Sequence, residues 1–250
     1  MKPTPAPLGL YLHIPFCRSK CVYCDFYSLP RSEDRMDAYA DALCAHLTET
    51  APFAANHLVD TVYFGGGTPS YLGAKRLAKI LKVILKKFRV AKDAEITLEA
   101  NPDSAGDWKA LRTLRKCGFN RISLGMQSAD DTELAEIGRV HTMAQVSAAV
   151  EAARKAKFQN LSLDLIYGLP HQTLEGWQKT LSAAADLEPD HLSCYGLKVE
   201  AGTPLFDRKD TAGLPGDEAQ ADMYLYAVEF LKAQGYEQYE ISNFARPGFD

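Results

Sequence analysis

Three cysteines close together are the residues of this sequence best suited to do chemistry. Cys17, Cys21 and Cys24 fall within eight residues, with the spacing C-x3-C-x2-C. Offsets of four and three residues bring the thiolates to one side of a tight loop or helical turn, where they can reach three corners of one small iron–sulfur cube. An electron-transfer cluster of this kind normally takes four thiolates. No fourth cysteine is near, so a [4Fe–4S] cluster here would keep one iron open to an outside ligand.

Two other interpretations of these cysteines remain open. His13 lies four residues before Cys17 and would complete a zinc site, although structural zinc sites normally pair C-x2-C units. The three thiols would otherwise be buried structural groups, because a free cysteine behaves as a small hydrophobic side chain. The more distant Cys44, Cys117 and Cys194 fit that second interpretation.

Alternating strand and helix patterns predict the scaffold that positions the cysteine loop. Strands are predicted at 8–14, 60–64, 95–100, 121–125, 161–167 and 191–197. Helices are predicted at 35–50, 74–89, from Ser104 as N-cap to Gly118, at 130–137, 142–157 and 174–187. A full eight-unit barrel needs about 250 residues by itself. The expected fold is therefore α/β, a partial (β/α)6 TIM-like barrel with additional C-terminal elements, with a doubly wound open sheet as the alternative.

The last fifth of the chain is expected to differ from the rest. Residues 201–250 are predicted to begin a C-terminal region, after a barrel domain at 1–200. This region would hold a loose segment, a helix at 217–234 and a strand at 236–241. The final residues, 246–250, are typical of a turn that leads onward, which predicts that the chain is a fragment.

Composition excludes some classes of function. The net charge is −4, which gives no reason to expect nucleic acid as the main partner, because phosphate binding normally needs a basic surface. No stretch approaches the roughly 20 apolar residues of a membrane span, and the N-terminus lacks the apolar segment of a signal peptide. A cytoplasmic location is the expectation, and there cysteines are more often metal ligands or buried thiols than disulfides.

The cysteine segment resembles the radical SAM superfamily, whose signature is C-x3-C-x-aromatic-C. Tyr23 fills the aromatic place, which in that family lies beside the adenine. The string 11–17, which begins with Tyr11, resembles a narrower group: the oxygen-independent coproporphyrinogen III dehydrogenases and their HemW-type relatives. This resemblance implies that Tyr11, like Tyr23, contacts the cofactor. The resemblance implies a [4Fe–4S] cluster on the three cysteines and S-adenosylmethionine (SAM) bound at the open iron. The cofactor would then carry the radical chemistry.

The same resemblance implies further cofactor contacts after successive strands. They are Gly66, Gly67 and Thr68 of the glycine-rich loop, Glu99, Gln127, Asp164, and Arg139, which would pair with the carboxylate of SAM. Singly, each residue could be structural, and Arg139 an exposed surface cation. Together they lie at or near the C-terminal ends of predicted parallel strands, where barrel active sites form. Asp164 interrupts an apolar strand, which is unfavourable unless the carboxylate is paired or hydrogen-bonded.

Two departures separate the chain from the dehydrogenases it resembles. Those enzymes continue the motif to a fourth cysteine, but Phe26 stands at that place, and few residues precede the first strand. Both features favour the HemW-like branch, which resembles haem chaperones that bind haem or porphyrin and transfer it to an acceptor protein. An electron donor is a further implied partner. The alternative is an oxygen-independent coproporphyrinogen III dehydrogenase, which uses SAM to decarboxylate its substrate oxidatively to protoporphyrinogen IX. No catalytic residue is assigned.

Overall fold

Most of the chain folds around one sheet of eight strands, with a separate two-stranded pair beside it. The structure is a computed structural model that describes residues 5–250. Its strands are β1 (Ala6–Ile14), β2 (Phe16–Cys17), β3 (Leu29–Pro30), β4 (His57–Gly66), β5 (Val90–Ala100), β6 (Arg121–Gln127), β7 (Asn160–Tyr167), β8 (His191–Gly196), β9 (Glu237–Gln238) and β10 (Asn243–Ala245).

The strand order decides between the two architectures that the sequence allows. The large sheet runs β1-β4-β5-β6-β7-β8-β10-β9, and its first six strands are parallel. A doubly wound sheet would reverse its order at a switch point, and no reversal occurs among these six. β1 and β9 are the two edges, so the sheet is an open, barrel-like arc. The predicted partial barrel of six units is confirmed.

Helices cover one face of this sheet. They are α1 (Met36–Thr50), α2 (Ala74–Lys87), α3 (Pro102–Ala105), α4 (Trp108–Cys117), α5 (Asp131–Glu136), α6 (Met143–Lys155), α7 (Leu174–Asp186), α8 (Pro204–Asp207) and α9 (Asp217–Ala233). Along the chain, α1 packs on α2, α2 on α4, and α4 on α6, while α7 packs on α9. None of the helices within the described range is both long and apolar enough to cross a membrane.

The two faces of the sheet carry different side chains. On β7, Leu161, Leu163 and Leu165 belong to the main hydrophobic core. The alternate residues, Ser162 and Asp164, point to the opposite side, because successive residues of a strand face opposite ways. The helix-covered face is therefore apolar and the inner face is largely polar.

One predicted helix start is wrong. Ser104 was expected to be the N-cap of the helix that ends at Gly118. Instead Ser104 lies inside α3, a short helix that begins at Pro102, and Asp107 is the N-cap of α4. The Asp107 carboxylate accepts the backbone N–H of Lys109 at 2.8 Å. Proline is favoured in the first turn of a helix, so Pro102 starts a separate turn before α4.

Within the predicted strand at 236–241, only Glu237–Gln238 (β9) is extended, and a turn then leads to a second short strand, β10, at Asn243–Ala245. β10 pairs antiparallel with β8, which extends the sheet beyond the six parallel strands. Tyr236 is buried, and its hydroxyl donates to the Pro189 carbonyl at 2.7 Å. The predicted boundary at residue 200 stays a prediction.

Candidate metal and cofactor site

The cysteine loop leaves the sheet directly after β1. Its base is closed by the parallel pairing of β2 with β3, and the Arg31 N–H donates to the Cys17 carbonyl at 3.2 Å. Within the loop, the Cys24 N–H donates to the Cys21 carbonyl at 3.2 Å, which forms a tight turn. A loop held at its base and turned at its tip presents its three thiols on one side.

The glycine-rich segment after β4 packs against this loop. A Cβ on Gly67 would lie 2.9 Å from the Phe16 carbonyl oxygen and 3.0 Å from the Cys17 Sγ, so the close approach requires glycine. The Thr68 hydroxyl donates to the Cys17 Sγ at 3.5 Å. Burial raises the pKa of the Cys17 thiol, and the bond from Thr68 acts in the opposite direction. Hydrogen bonds to sulfur of this kind tune iron–sulfur clusters.

One large cavity of about 830 Å³ opens on the inner face of the sheet. Eleven of the twelve sequence-predicted site residues line it, and these are Cys17, Cys21, Tyr23, Cys24, Gly66, Gly67, Thr68, Glu99, Gln127, Arg139 and Asp164. Ligand-binding cavities commonly have a volume of about 300–1,000 Å³. The cavity is thus large enough for a cluster together with a nucleoside-sized ligand.

Arg139 lies within the site and not on the exposed surface. Its Nη2 donates to the Gly125 carbonyl at 2.6 Å and to the Asn101 Oδ1 at 3.0 Å, while its Nη1 lies 3.7 Å from the Cys21 Sγ. The Nε is buried and has no hydrogen-bond partner among residues 5–250. A buried unpaired guanidinium N–H is unfavourable, so this atom marks a place for an acceptor from a ligand.

Glu99 is held by two donors at the end of β5. The Tyr63 hydroxyl donates to its Oε1 at 2.6 Å, and the Gly66 N–H donates to its Oε2 at 3.1 Å. Burial raises the pKa of Glu99, the charge of Asp164 raises it further, and the bond from Tyr63 opposes them. Each carboxylate oxygen retains a lone pair that can accept a hydroxyl or ammonium donor.

Asp164 lies across the inner face on β7. The Ser123 hydroxyl is 3.0 Å from its Oδ1 and 3.2 Å from its Oδ2. Burial raises the pKa of Asp164, while Ser123 and the positive charge of Arg121 act against that rise. Two half-buried carboxylates, Glu99 and Asp164, line the same cavity and form an acceptor surface suited to a polar, positively charged ligand.

Gln127 has an unusual backbone. It lies at the end of β6 with φ +67°, beside a register shift in the pairing of β6 with β7. Few non-glycine residues adopt a left-handed conformation, and such strain collects at functional sites. The bulge turns the Gln127 side chain toward the cavity, where it neighbours Arg139 above Gly125.

Tyr11 is separate from the other predicted contacts. Its side chain is 61% exposed and it is not among the residues that line the cavity. It lies on the open edge strand β1, stacked on Tyr63 with ring centroids 6.1 Å apart. Burial, followed by the charge of Glu99, raises the pKa of Tyr11.

Three supporting residues were missed from the sequence. Asn101 bridges the site, since its Nδ2 donates to Thr68 and its Oδ1 accepts from Arg139. Tyr63 holds Glu99, and Ser123 holds Asp164. A signal existed for Asn101, a polar residue before Pro102 at a strand end. Nothing local marks Ser123, because its role depends on pairing with the neighbouring strand.

The donor set fits an iron–sulfur cube better than a zinc ion. His13, the fourth ligand in the zinc alternative, already contacts Tyr11 and the Tyr27 carbonyl through its two ring nitrogens. Within residues 5–250, no three His, Cys, Asp or Glu side chains gather closely enough for a single ion. Cys17, Cys21 and Cys24 line one cavity, so the loop can present three thiolates to a cluster there.

Comparison with known proteins identifies the class. The Radical SAM superfamily model matches residues 11–184, and the chain belongs to that superfamily. The family implies a [4Fe–4S] cluster and SAM, which agrees with the donor set described above.

Individual relatives indicate a narrower group within this superfamily. The chain is 39% identical over 246 residues to "Heme chaperone HemW" of Lactococcus lactis, covering 98% of this chain and 64% of that protein. It is also 39% identical to "Heme chaperone HemW" of Escherichia coli, covering 97% and 64%. The solved structure of coproporphyrinogen III oxidase (HemN) from Escherichia coli, a radical SAM enzyme, matches with a TM-score of 0.90 and 33% identity, covering 99% of this chain and 57% of that one. The chain thus spans about 64% of the length of these curated relatives, and the expected HemW-like relationship is confirmed.

Proposed function

We propose that this chain is the radical SAM core of a haem chaperone, which binds haem and passes it to an acceptor protein. The observation that carries the proposal is the similarity to HemW proteins over 97–98% of the chain. Phe26 supports the proposal as well, because it stands where the coproporphyrinogen III dehydrogenases have a fourth cysteine. This difference favours the HemW-like branch.

The residues around the cavity have separable roles in this proposal. Cys17, Cys21 and Cys24 hold the cluster, and the unpartnered Nε of Arg139 takes the carboxylate of SAM. Glu99 and Asp164 accept hydrogen bonds from its hydroxyl and ammonium groups. When bound, a reduced cluster supplies the electron that breaks a carbon–sulfur bond of SAM.

The remaining contacts and the domain division belong to the same proposal. Tyr23 packs against a small apolar cluster that contains Ile137, Ile166 and Leu169, a suitable wall for an adenine ring. Gly66, Gly67, Thr68 and Gln127 complete the cavity wall.

Residues 1–200 form the cofactor-binding part, and 201–250 begin a C-terminal region. An electron donor and a haem acceptor are the proposed partners, and the cytoplasmic location stays a prediction.

Metal analysis tests the cluster. Anaerobically purified and reconstituted protein should hold about four iron and four sulfide per chain. Cys21→Ser should lose most of this iron while its circular dichroism spectrum stays unchanged, because the hydrophobic core lies on the other face of the sheet. The matched control is Cys44→Ser, which changes a cysteine on α1, outside the loop. One zinc and no sulfide, or full iron in Cys21→Ser, contradicts the ligand assignment.

Haem titration tests the chaperone proposal itself. A stoichiometric shift of the Soret band is expected, and no shift would count against the proposal. The match to HemN, with a TM-score of 0.90, favours one other function, coproporphyrinogen III dehydrogenase. An anaerobic assay with SAM and a reductant separates the two, because only the dehydrogenase forms protoporphyrinogen IX.

A further inference from the structure

One hydroxyl group beside the cysteine loop is buried without a partner. In the part of the chain that the structure describes, the Oγ of Ser28 makes no hydrogen bond, although this atom is shielded from solvent. Ser28 lines the same cavity as Cys17 and lies directly before β3. A buried hydroxyl without an acceptor is unfavourable, because it has given up its hydrogen bonds to water. The Ser28 hydroxyl therefore has a hydrogen available for a group bound in the cavity.

Backbone contacts place Ser28 relative to the first cysteine. The residue after it, Leu29, donates its N–H to the Pro15 carbonyl at 2.6 Å. From Leu29 onward, β3 pairs parallel with β2, the strand that ends at Cys17. Ser28 is therefore held at the base of the loop, at the end of the loop opposite to Cys17 in sequence but beside it in space.

The Ser28 hydroxyl acts on the Cys17 thiol. Burial has the largest effect on the pKa of this thiol and raises it, whereas the hydroxyls of Thr68 and Ser28 lower it. A hydroxyl lowers the pKa of a thiol when it can donate a hydrogen bond to the thiolate. Thr68 already makes such a bond, with its hydroxyl 3.5 Å from the Cys17 Sγ. Ser28 is thus a second hydroxyl near this sulfur, and its hydrogen is not shared with another group.

Hydrogen-bond donors are divided between two corners of the site. The guanidinium of Arg139 approaches the Cys21 thiol, with Nη1 3.7 Å from its Sγ. The two hydroxyls lie at the Cys17 thiol. Because each added electron makes an iron–sulfur cluster more negative, donors to its sulfur atoms stabilise the reduced state and raise the reduction potential.

We infer that Ser28 donates its hydroxyl hydrogen to a sulfur atom of the cluster at the Cys17 corner and thereby raises the reduction potential of the cluster. The acceptor is the Cys17 thiolate or a sulfide next to it, and no covalent bond changes. This inference rests on the cluster assignment within the proposed function. Ser28 then makes the cluster easier to reduce, and a reduced cluster is what the cleavage of SAM needs.

Redox titration of the reconstituted 250-residue chain, followed by electron paramagnetic resonance, tests this bond. Ser28→Ala should still hold about four iron per chain. Its reduction equilibrium should shift about tenfold toward the oxidised cluster, which equals a potential lower by about 59 mV for one electron. Ser28→Thr keeps the hydroxyl and should keep the wild-type potential. The matched control is Ser32→Ala on the same segment, which removes a hydroxyl that donates to the Pro30 carbonyl at 3.2 Å and should leave the potential unchanged.

A second measurement detects the hydrogen itself. Electron–nuclear double resonance of the reduced cluster, in protein reconstituted in D2O, reports exchangeable deuterons coupled to the cluster. Ser28→Ala should show one coupled deuteron fewer than the wild type, while Ser28→Thr and Ser32→Ala should match the wild type. Circular dichroism spectra check that each variant is folded.

The outcomes separate this hydrogen bond from the function it serves. Either an unchanged potential or unchanged deuteron couplings in iron-replete Ser28→Ala overturns the inference and leaves the cluster and the chaperone proposal standing. If Ser28→Ala assembles no cluster, Ser28→Thr decides: wild-type potential and couplings support the bond, and a shift in either contradicts it. A wild-type chain without iron and sulfide overturns the cluster assignment together with this inference, whereas a failed haem titration of the cluster-loaded chain overturns the chaperone proposal alone.

Discussion

The two faces of the sheet differ in the polarity of their side chains, although alternate residues of the same strand contribute to both. On β7, Leu163 is fully buried in the hydrophobic core, while its neighbour Asp164 lines the cavity on the other side. The outer face excludes water from apolar side chains packed under helices. The inner face holds carboxylates, hydroxyls and guanidinium groups around a space for ligands.

This contrast shows that stability and chemistry are placed on opposite sides of one scaffold. Burial of an apolar side chain such as Leu163 stabilises the fold by about 1.5–3 kcal/mol. Burial of Asp164 and Glu99 disfavours their charged forms, which is the cause of their raised pKa values. Substitutions on the two faces should therefore affect different measurements.

The largest change in stability is expected on the outer face. Leu163→Ala should lower the free energy of unfolding by about 2–5 kcal/mol, because it leaves a cavity in packed core. Denaturant unfolding of the cluster-free chain measures this. Leu225→Ala, at a position 59% exposed on α9, is the control and should change stability by less than about 0.5 kcal/mol. Equal losses in the two variants would remove the distinction between core and surface.

The inner face should show a smaller effect on stability and a larger one on binding. Asp164→Asn should weaken SAM binding to the cluster-loaded chain by about 10–100-fold, since a hydrogen bond to a charged group contributes about 1.5–3 kcal/mol. Equilibrium dialysis with SAM measures this loss. Unchanged affinity would show that Asp164 does not contact the cofactor.

Asp164 also has a signature in the pH dependence of stability. Its pKa is raised in the folded state, so the unfolded chain releases this proton first as the pH rises. Stability from this group is present below the ordinary pKa of 3.8 and is lost as the pH rises through the raised value. Asp164→Asn should therefore flatten that part of the profile of unfolding free energy against pH. A profile parallel to that of the wild type would contradict the raised pKa.

The smallest effect on the free energy of unfolding is expected from His191, at the start of β8 on the inner face of the sheet. Burial, and then the charge of Arg121, lowers the pKa of His191 from 6.5 to about 4. Its Nδ1 is 2.8 Å from the Ser162 hydroxyl, and its Nε2 is 2.8 Å from the Tyr239 hydroxyl. The unfolded chain takes up this proton first, so stability is lost as the pH falls from 6.5 toward 4.

His191→Gln should reduce the loss of unfolding free energy between pH 6.5 and about 4 by about 1–3 kcal/mol. A pKa shift contributes at most about 1.4 kcal/mol for each unit, and the expected reduction lies within that limit. Unfolding free energies measured between pH 4 and 7 give the slope, which is independent of any constant loss of stability in the variant. The exposed His46→Ala is the control. An unchanged slope in His191→Gln would place the titrating group elsewhere.

Local patterns were enough to predict most of the scaffold. Strands and helices were predicted from apolar periodicity, and the six parallel strands confirm that prediction. Errors occurred where neighbouring residues competed for one role, as with Ser104 and Asp107. They also occurred at 236–241, where only β9 forms, while the next strand, β10 at Asn243–Ala245, forms by pairing with β8.

The sequence by itself determined the cysteine set, because the spacing of Cys17, Cys21 and Cys24 is a local property of one short loop. It also determined the order of the strands that carry the cofactor contacts, since parallel units follow one another along the chain. Only the tertiary structure decided that Arg139 lies half-buried beside the loop, with its Nε buried, and that Tyr11 lies apart from the cavity. Burial and pairing depend on residues distant in sequence: Asn101 and Gly125 hold Arg139, and the position of β1 at the sheet edge leaves Tyr11 exposed.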